Sequence, residues 1–571
     1  MTDEPLILGV ARTHDVAAAL IRGDRLLVLA EAERVLDDKH AAGADKLGPA
    51  ILAALQTIGA TPSDIAAVCI ADTGMEGIEK ARPDLVAEMH SPRAIAQLGT
   101  VADMERLPLG SLGVEGMNPA TPLHAVCHHG AHAAGSVWLS GFAESLNAVI
   151  DGYGVCCGSA LYHYRDNGLH RLEDSLDRYL LGWRYQLFGH FVIEIDSDRT
   201  DVLDLAGKVM GLNAYGDARE DQVAYFENWF RGPDFNAYEW AWDYTHRHFT
   251  DLVGEKGLHR DVGSARDKWF VDIIASMQEA FTRCIARYVD DGQTATGAQD
   301  VTLSGGCALN VLANTRVASS PRVRELFVQP TAGDNGLPIG AAALAASRLT
   351  GRPLHAPAAS HPDRRNPYLG VPLELDADLT KGLDAPAGAR ETVAALADIL
   401  ASGGTVGMVT GRAELGPRAL GHRSIFGWPN GPELRDTLNR IKSREWWRPF
   451  APVCRLQDAE RFFTAPAFSP YMLLTANVRE EYRQHLAAAS HEDGTARLQV
   501  LERREDHPLL WDILAEMDAR TGVGVLVNTS FNVSGKPLLN RASTALQVLR
   551  DTVLDAVWVE GRLIRRADLA G

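Results

Sequence analysis

The chain lacks the marks of several specialised protein classes. It has no run of about 18 apolar residues, the length needed to span a membrane as a helix. It has no CxxC pair, which excludes a zinc ribbon or knuckle. Its seven cysteines, at 69, 127, 156, 157, 284, 307 and 454, are odd in number and follow no repeat. That argues against a secreted disulfide scaffold. Neither a Walker A loop nor a Rossmann glycine fingerprint occurs. Basic charge is scarce: 56 Lys and Arg stand against 74 Asp and Glu, for a formal net charge of -18. Such a surface repels phosphate backbones, so no nucleic-acid partner is expected. The N-terminal MTDEPLILGVARTHD is acidic with a short apolar stretch, neither signal peptide nor anchor, and the expected compartment is the cytoplasm.

What is present is a globular composition, 46% hydrophobic and 23% charged, over 571 residues, too many for one ordinary core. Residues 5–10 read as a buried strand. Residues 17–30 read as a hairpin turning at Gly23-Asp24. A helix over 46–59 and a strand over 66–71 follow. The segment 147–165 is strand-rich. A long helix is predicted over 267–290, then strand 301–303, a turn at Ser304-Gly305-Gly306 and helices in 308–317 and 336–348. The stretch 350–370 has four prolines and no periodicity, which suits a linker. Beyond it come a helix at 391–402 and strands at 405–410 and 523–528. The expectation is an α/β fold with mixed sheets and two domains, 1–355 and 371–571.

Several clusters carry chemistry. His128 and His132 are four apart, on one face of a helical turn, where two imidazoles can share one divalent cation. His129 would point elsewhere. A polar helix start is the alternative. Asp151, at a strand end, and Asp334, before a helix, could supply oxygen ligands or merely cap turns. Ser304-Gly305-Gly306 and Gly207-Lys208-Val209-Met210-Gly211 offer backbone donors and a cation for phosphate, or are simple turns. Residues 411–424 and 439–450 concentrate Arg412, Arg418, Arg423, Arg440, Lys442, Arg444 and Arg448 in an otherwise acidic chain. Guanidinium forks bind phosphate or carboxylate, and a salt-bridged surface is the other reading. Asn528 to Asn532 follow an apolar strand, where α/β ligands bind. His14-Asp15 pairs a base with a carboxylate, although adjacent residues usually point apart.

Taken in order, eleven segments resemble the O-carbamoyltransferases of the nodulation-factor and antibiotic-tailoring family. They are LGVARTHDVAAAL (8–20), EAERVLDDKH (31–40), HHGAHAAGS (128–136), IDGYG (150–154), GKVMGLNAYG (207–216), SGGCALNVLAN (304–314), AGDNGLPIGAA (332–342), GRAELGPRALGHRSI (411–425), NRIKSREWWRPFAP (439–452), HEDGTARLQ (491–499) and NTSFNVSGKP (528–537). The resemblance implies an actin/Hsp70-like (ASKHA) ATPase-fold N-terminal domain and a YrdC-like C-terminal domain. It implies that carbamoyl phosphate and ATP form carbamoyl-adenylate in the C-terminal domain. The carbamoyl group then passes to a hydroxyl at a metal site in the N-terminal domain.

By motif position, His128, His132, Asp151 and Asp334 are the implied ligands of an iron(II)-like ion, with Mg2+ accompanying ATP. Lys208, Gly211, Gly305, Gly306 and Asn310 are the implied nucleotide contacts. His14, with Asp15, is the implied base. Arg418, Arg448 and Arg497 with Asn528 and Ser530 form the implied carbamoyl phosphate and ATP pocket, and Lys39 and Lys442 add charge to it. Expected partners are carbamoyl phosphate and a small-molecule, natural-product hydroxyl acceptor, with no membrane and with a homodimer left open. The acceptor is expected to meet the least patterned stretches, 73–120 and 160–200. Val155-Cys156-Cys157 and Phe426-Gly427-Trp428-Pro429 depart from the family pattern. A tRNA-threonylcarbamoylating enzyme would need a basic patch, which is lacking. Hydrogenase-maturation carbamoyltransferases carry an acylphosphatase domain and CxxC modules, which this chain lacks. A non-catalytic ATP-sensing module would not need the histidine and arginine clusters.

Overall fold

The computed structural model describes residues 4–71, 112–152, 158–172, 181–192, 205–231, 267–354, 366–375, 388–464, 469–533 and 535–569. The chain divides into two compact units, Met1–Arg365 and Asn366–Gly571.

The first unit holds two five-stranded sheets. One contains β1 (Leu6–Ala11), β2 (Ala17–Arg22), β3 (Arg25–Glu31), β4 (Ile65–Ala71) and β5 (Leu123–Val126), in the order β3-β2-β1-β4-β5. The other contains β6 (Ser145–Ile150), β7 (Ser159–Arg165), β8 (Gly168–Arg171), β9 (Asp300–Ser304) and β10 (Glu325–Val328), in the order β10-β9-β6-β7-β8. Read from its own first strand, the second sheet repeats the first. In each, strands one to three form an antiparallel meander, and strands one, four and five run parallel. This duplicated order is the actin-like ATPase arrangement that the sequence resemblance implies.

In each half the last strand leads to a helix: His128–Ser140 after β5, and Leu337–Thr350 after β10. These two helices pack on each other with backbones nearly touching. A Cβ at Gly340 would run into the carbonyl oxygen of Ala131. The alanines of HHGAHAAGS and of LPIGAAALAA are buried in this crossing, which only small residues permit. The close approach brings the N-terminal ends of both helices to one place.

The second unit is a three-layer sandwich. Its sheet uses β11 (Thr405–Val409), β12 (Arg423–Gly427), β13 (Ala451–Arg455), β17 (Gln499–Leu501), β18 (Val525–Ser530), β19 (Ala556–Val559) and β20 (Arg562–Arg565), in the order β17-β13-β18-β12-β11-β19-β20. A separate three-stranded sheet holds β14 (Phe463–Thr464), β15 (Thr475–Val478) and β16 (Thr495–Arg497). Side chains alternate across the large sheet, as a pleat requires. Met408, Phe426, Leu526 and Trp558 join one core with Leu396, Leu400, Ile513 and Leu514 from the helices Ala389–Ala401 and Pro508–Thr521. Val409, Ile425, Val527 and Val557 join the other with Leu434, Leu438, Leu546 and Leu549 from the helices Glu433–Lys442 and Ala542–Asp551. Burial on both faces explains why these strands read as unbroken apolar runs.

Candidate functional site

In the first unit, four loops at equivalent positions of the two halves converge. Helix His128–Ser140 opens with Cys127 as its cap, and its first turn presents His128 and His132. Asp151 follows β6, and Asp334 precedes helix Leu337–Thr350. The ligand atoms of all four residues lie within 4.8 Å of one another, and all four residues are buried. His128 Nε2 is 2.7 Å from Asp151 Oδ2 and 3.4 Å from Asp334 Oδ1. His132 Nε2 is 3.2 Å and 3.5 Å from the same two oxygens. Asp151 Oδ1 is held separately, accepting from the Gly152 and Gly306 N–H groups at 2.7 and 3.0 Å. Gly306 thus orients a carboxylate.

The electrostatics fit a cation. Burial alone would raise Asp151 and lower His132. Instead the histidines hold Asp151 well below the ordinary carboxylate range, and hydrogen bonds to Asp151 and Asp334 raise His132 to about 9. Asp334 is also lowered, by His128 against its own burial and the charge of Asp151. Two buried carboxylates and two imidazoles, with the Nδ1 atoms unpartnered among the described residues, form a donor set of two nitrogens and two oxygens. That set suits a divalent ion, whose charge the carboxylates would balance. His129 contributes no atom to it and, by burial and the neighbouring His128, is pushed down to about 3.

His14 follows β1 as Asp151 follows β6. Its Nδ1 is 3.3 Å from Asp334 Oδ2 and its Nε2 is 3.4 Å from Asp15 Oδ2. Burial lowers its pKa, but Asp334, Asp15 and Asp151 outweigh this and leave it raised. Asp15 also accepts from His40 Nδ1 at 2.8 Å. Sequence reading missed His40, and the family segment ending at it was the available signal. Lys39 lies beside it, half-buried, in this first unit.

Asn310 caps the helix Val311–Ala318 by accepting from the Ala313 N–H, and it exchanges hydrogen bonds with Gln278. Gly305 takes a positive φ at the end of β9. Lys208 and Gly211 lie on the helix Leu205–Leu212. Most of 73–120, much of 173–200, and Val155-Cys156-Cys157 lie outside the described residues.

The second unit sorts its arginines by partner. Arg412 donates to the carbonyls of Gly370 and Leu369, and Arg423 to those of Thr410, His422 and Gly411 and to Asn540 Oδ1. Both hold backbone. Arg418, Arg444, Arg448, Arg497 and Lys442 also gather as like charges, and Arg444 donates to Asn439 Oδ1 at 2.9 Å and to the Pro449 carbonyl at 3.2 Å. Burial and Arg448 pull Arg418 down to about 10. Burial, then Arg418, Arg444 and Arg448, pull Arg497 well down. Burial and Arg448 do the same to Arg444, which also stacks 4.1 Å over the Phe450 ring. A guanidinium keeps its proton inside a protein, so a bound anion relieves this strain. Arg444 belongs to this group, though only its charge, not a role, was legible in the sequence.

Lys442 Nζ donates to Ser530 and Asn532, to each through backbone and side-chain oxygens, at 2.6–3.2 Å. Asn528 Nδ2 donates to the Ala419 carbonyl at 3.2 Å and to Gln499 Oε1 at 2.6 Å, linking β18 to the turn that bears Arg418. The departure at 426–429 falls partly in β12, where Phe426 is core.

Comparison with known proteins gives the family. Residues 6–343 match the family model "Carbamoyltransferase N-terminus" and residues 397–566 match "Carbamoyltransferase C-terminus". The chain is 32% identical to nodulation protein NolNO of Sinorhizobium fredii, over 97% of this chain and 79% of that protein. It is 33% identical to nodulation protein NolO of Bradyrhizobium diazoefficiens, over 77% of this chain and 78% of that one. It is 30% identical to nodulation protein U of Rhizobium tropici, over 99% and 96%. Among solved structures, full-length HypF in its phosphate- and nucleotide-bound form overlaps 62% of this chain and 57% of its own, at 13% identity and a TM-score of 0.33, too loosely to argue from. With both family segments present in order, the chain belongs to the carbamoyltransferase family and is a carbamoyltransferase.

Proposed function

We propose that the chain is an ATP-dependent O-carbamoyltransferase that divides two steps between its units. The observation that carries this reading is the gathering of five cations in one unit, where burial and neighbouring like charges pull down Arg418, Arg444, Arg497 and Lys442 beside Arg448, and of a carboxylate–imidazole cluster in the other.

In the second unit the arginines bind carbamoyl phosphate and the ATP phosphates. Water releases phosphate from carbamoyl phosphate, leaving carbamate. A carbamate oxygen attacks the α-phosphorus of ATP, and pyrophosphate leaves. The clustered guanidiniums stabilise the charge developing on the phosphoryl oxygens. In the first unit the hydroxyl oxygen of the acceptor attacks the carbamoyl carbon, and AMP leaves. His14, oriented by Asp15, accepts the hydroxyl proton. His128, His132, Asp151 and Asp334 would hold a divalent ion, iron(II) by family resemblance, and its positive charge would favour the departing phosphate of AMP. Gly306 keeps Asp151 turned toward its partners.

The acceptor is a small molecule bearing a hydroxyl. Incubating the chain with carbamoyl phosphate, ATP and iron(II) should release pyrophosphate. A panel of hydroxyl compounds should then reveal an acceptor gaining the mass of one carbamoyl group. Absence of pyrophosphate release across all conditions would refute the reading.

A further inference from the structure

The turn over residues 414–422 carries Arg418 outside any helix or strand and leads into β12 at Arg423. Gly416 and Gly421 take positive φ values of 82° and 131°, so the path depends on glycine and on whatever holds the backbone. Three backbone N–H groups, of Leu420, His422 and Arg423, all point inward, and each donates to Glu414 Oε1 at 2.9 Å. Glu414 is fully buried. The carbonyls of the same turn are held from the other side. Leu420 O accepts from Gln499 Nε2 at 2.7 Å and from the Tyr368 hydroxyl at 2.9 Å, and Ala419 O accepts from Asn528 Nδ2.

A nest of converging N–H groups is an anion site in its own right. Here the chain fills that nest with its own carboxylate, one residue type among many in a motif otherwise read for its arginines. Because the charged acceptor lies four residues before Arg418 and the donors begin two residues after it, closing the nest fixes both ends of the arginine's loop.

We propose that Glu414 is a positioning residue for carbamoyl phosphate: its carboxylate closes the turn that presents Arg418 to the anion. This rests on the proposed use of the arginine cluster for that substrate. Glu414 touches no substrate and acts through Arg418. Replacing it by Gln keeps an acceptor oxygen but removes the charge that three donors share. Replacing it by Ala leaves the three donors without their acceptor.

The test is calorimetric binding of carbamoyl phosphate to the full chain without ATP, alongside thermal melting. Glu414→Gln should bind about tenfold more weakly, the size of change expected when a charged acceptor becomes neutral. Its melting midpoint should fall, though by less than that of Glu414→Ala, and the chain should remain folded at the temperature of the binding measurement. Glu414→Ala should bind more weakly still. In turnover, Glu414→Gln should raise the KM for carbamoyl phosphate and recover kcat at saturation. Unchanged affinity in a folded Glu414→Gln chain would overturn the proposal. So would a failure of the unaltered chain to bind carbamoyl phosphate, which would overturn the assignment of the cluster as well. Glu414-dependent binding with no pyrophosphate formed would refute adenylation and leave the positioning role standing.

Discussion

His128 Nε2 lies 2.7 Å from Asp151 Oδ2, although His128 opens the last described helix of the first half of a duplicated fold and Asp151 follows the first strand of the second. Asp334 joins them because the two equivalent helices, His128–Ser140 and Leu337–Thr350, cross with almost no side chain between them. Geometry at the histidine–aspartate cluster therefore depends on residues outside it.

Gly340→Val tests that dependence. The added side chain meets the Ala131 carbonyl and must push the helices apart, at a cost of about 1–3 kcal/mol. Melting temperature should fall, and iron(II) affinity should fall further than that of a control of equal stability loss placed in the second unit. Metal titration on both variants checks it.

The cluster should also exchange protons for metal. Its carboxylates raise His132 to about 9, so at neutral pH the metal-free site holds a proton there. A raised folded value stabilises the metal-free fold fully below about 6.5, and that contribution is lost as pH rises through about 9. A cation needs the imidazole neutral and must displace the proton. Affinity for iron(II) should rise between pH 6 and 8, with proton uptake by buffers of different ionisation enthalpy detectable calorimetrically. A flat profile would contradict the arrangement.

Lys442 sits at the join between the arginine cluster and the turn after β18. Lys442→Met removes the ammonium donor of Ser530 and Asn532, leaving Asn532 Oδ1 only the Ser530 hydroxyl, at on the order of 1–3 kcal/mol. Relief of repulsion with Arg444 and Arg448 offsets part of this. The second unit should melt earlier, and carbamoyl phosphate should stabilise it less than it stabilises the unaltered chain. Differential scanning with and without carbamoyl phosphate measures both.

Much of this was legible in residue patterns, and the limits have physical causes. The i, i+4 spacing placed His128 and His132 on one face because a helix repeats every 3.6 residues. Nothing in spacing joined them to Asp151 or Asp334, since that meeting is made by a repeat of topology that the two halves do not show as a repeat of sequence. Adjacency suggested that His14 and Asp15 point apart, but in a loop strand alternation does not apply, and Asp15 reaches both His14 and His40. Charge density marked the region 411–450, yet could not separate Arg412 and Arg423, which satisfy backbone carbonyls, from Arg418, which faces the like charge of Arg448. The role of Glu414 was hidden because its partners are backbone N–H groups, which every residue carries.

The division of labour between the units is tested most directly by following pyrophosphate release and carbamoyl transfer together in His132→Ala and Arg418→Ala. His132→Ala should abolish transfer to a hydroxyl acceptor and leave carbamoyl-phosphate-dependent pyrophosphate release largely intact. Arg418→Ala should abolish both. Equal loss of pyrophosphate release in His132→Ala would contradict the assignment of activation to the second unit and transfer to the first.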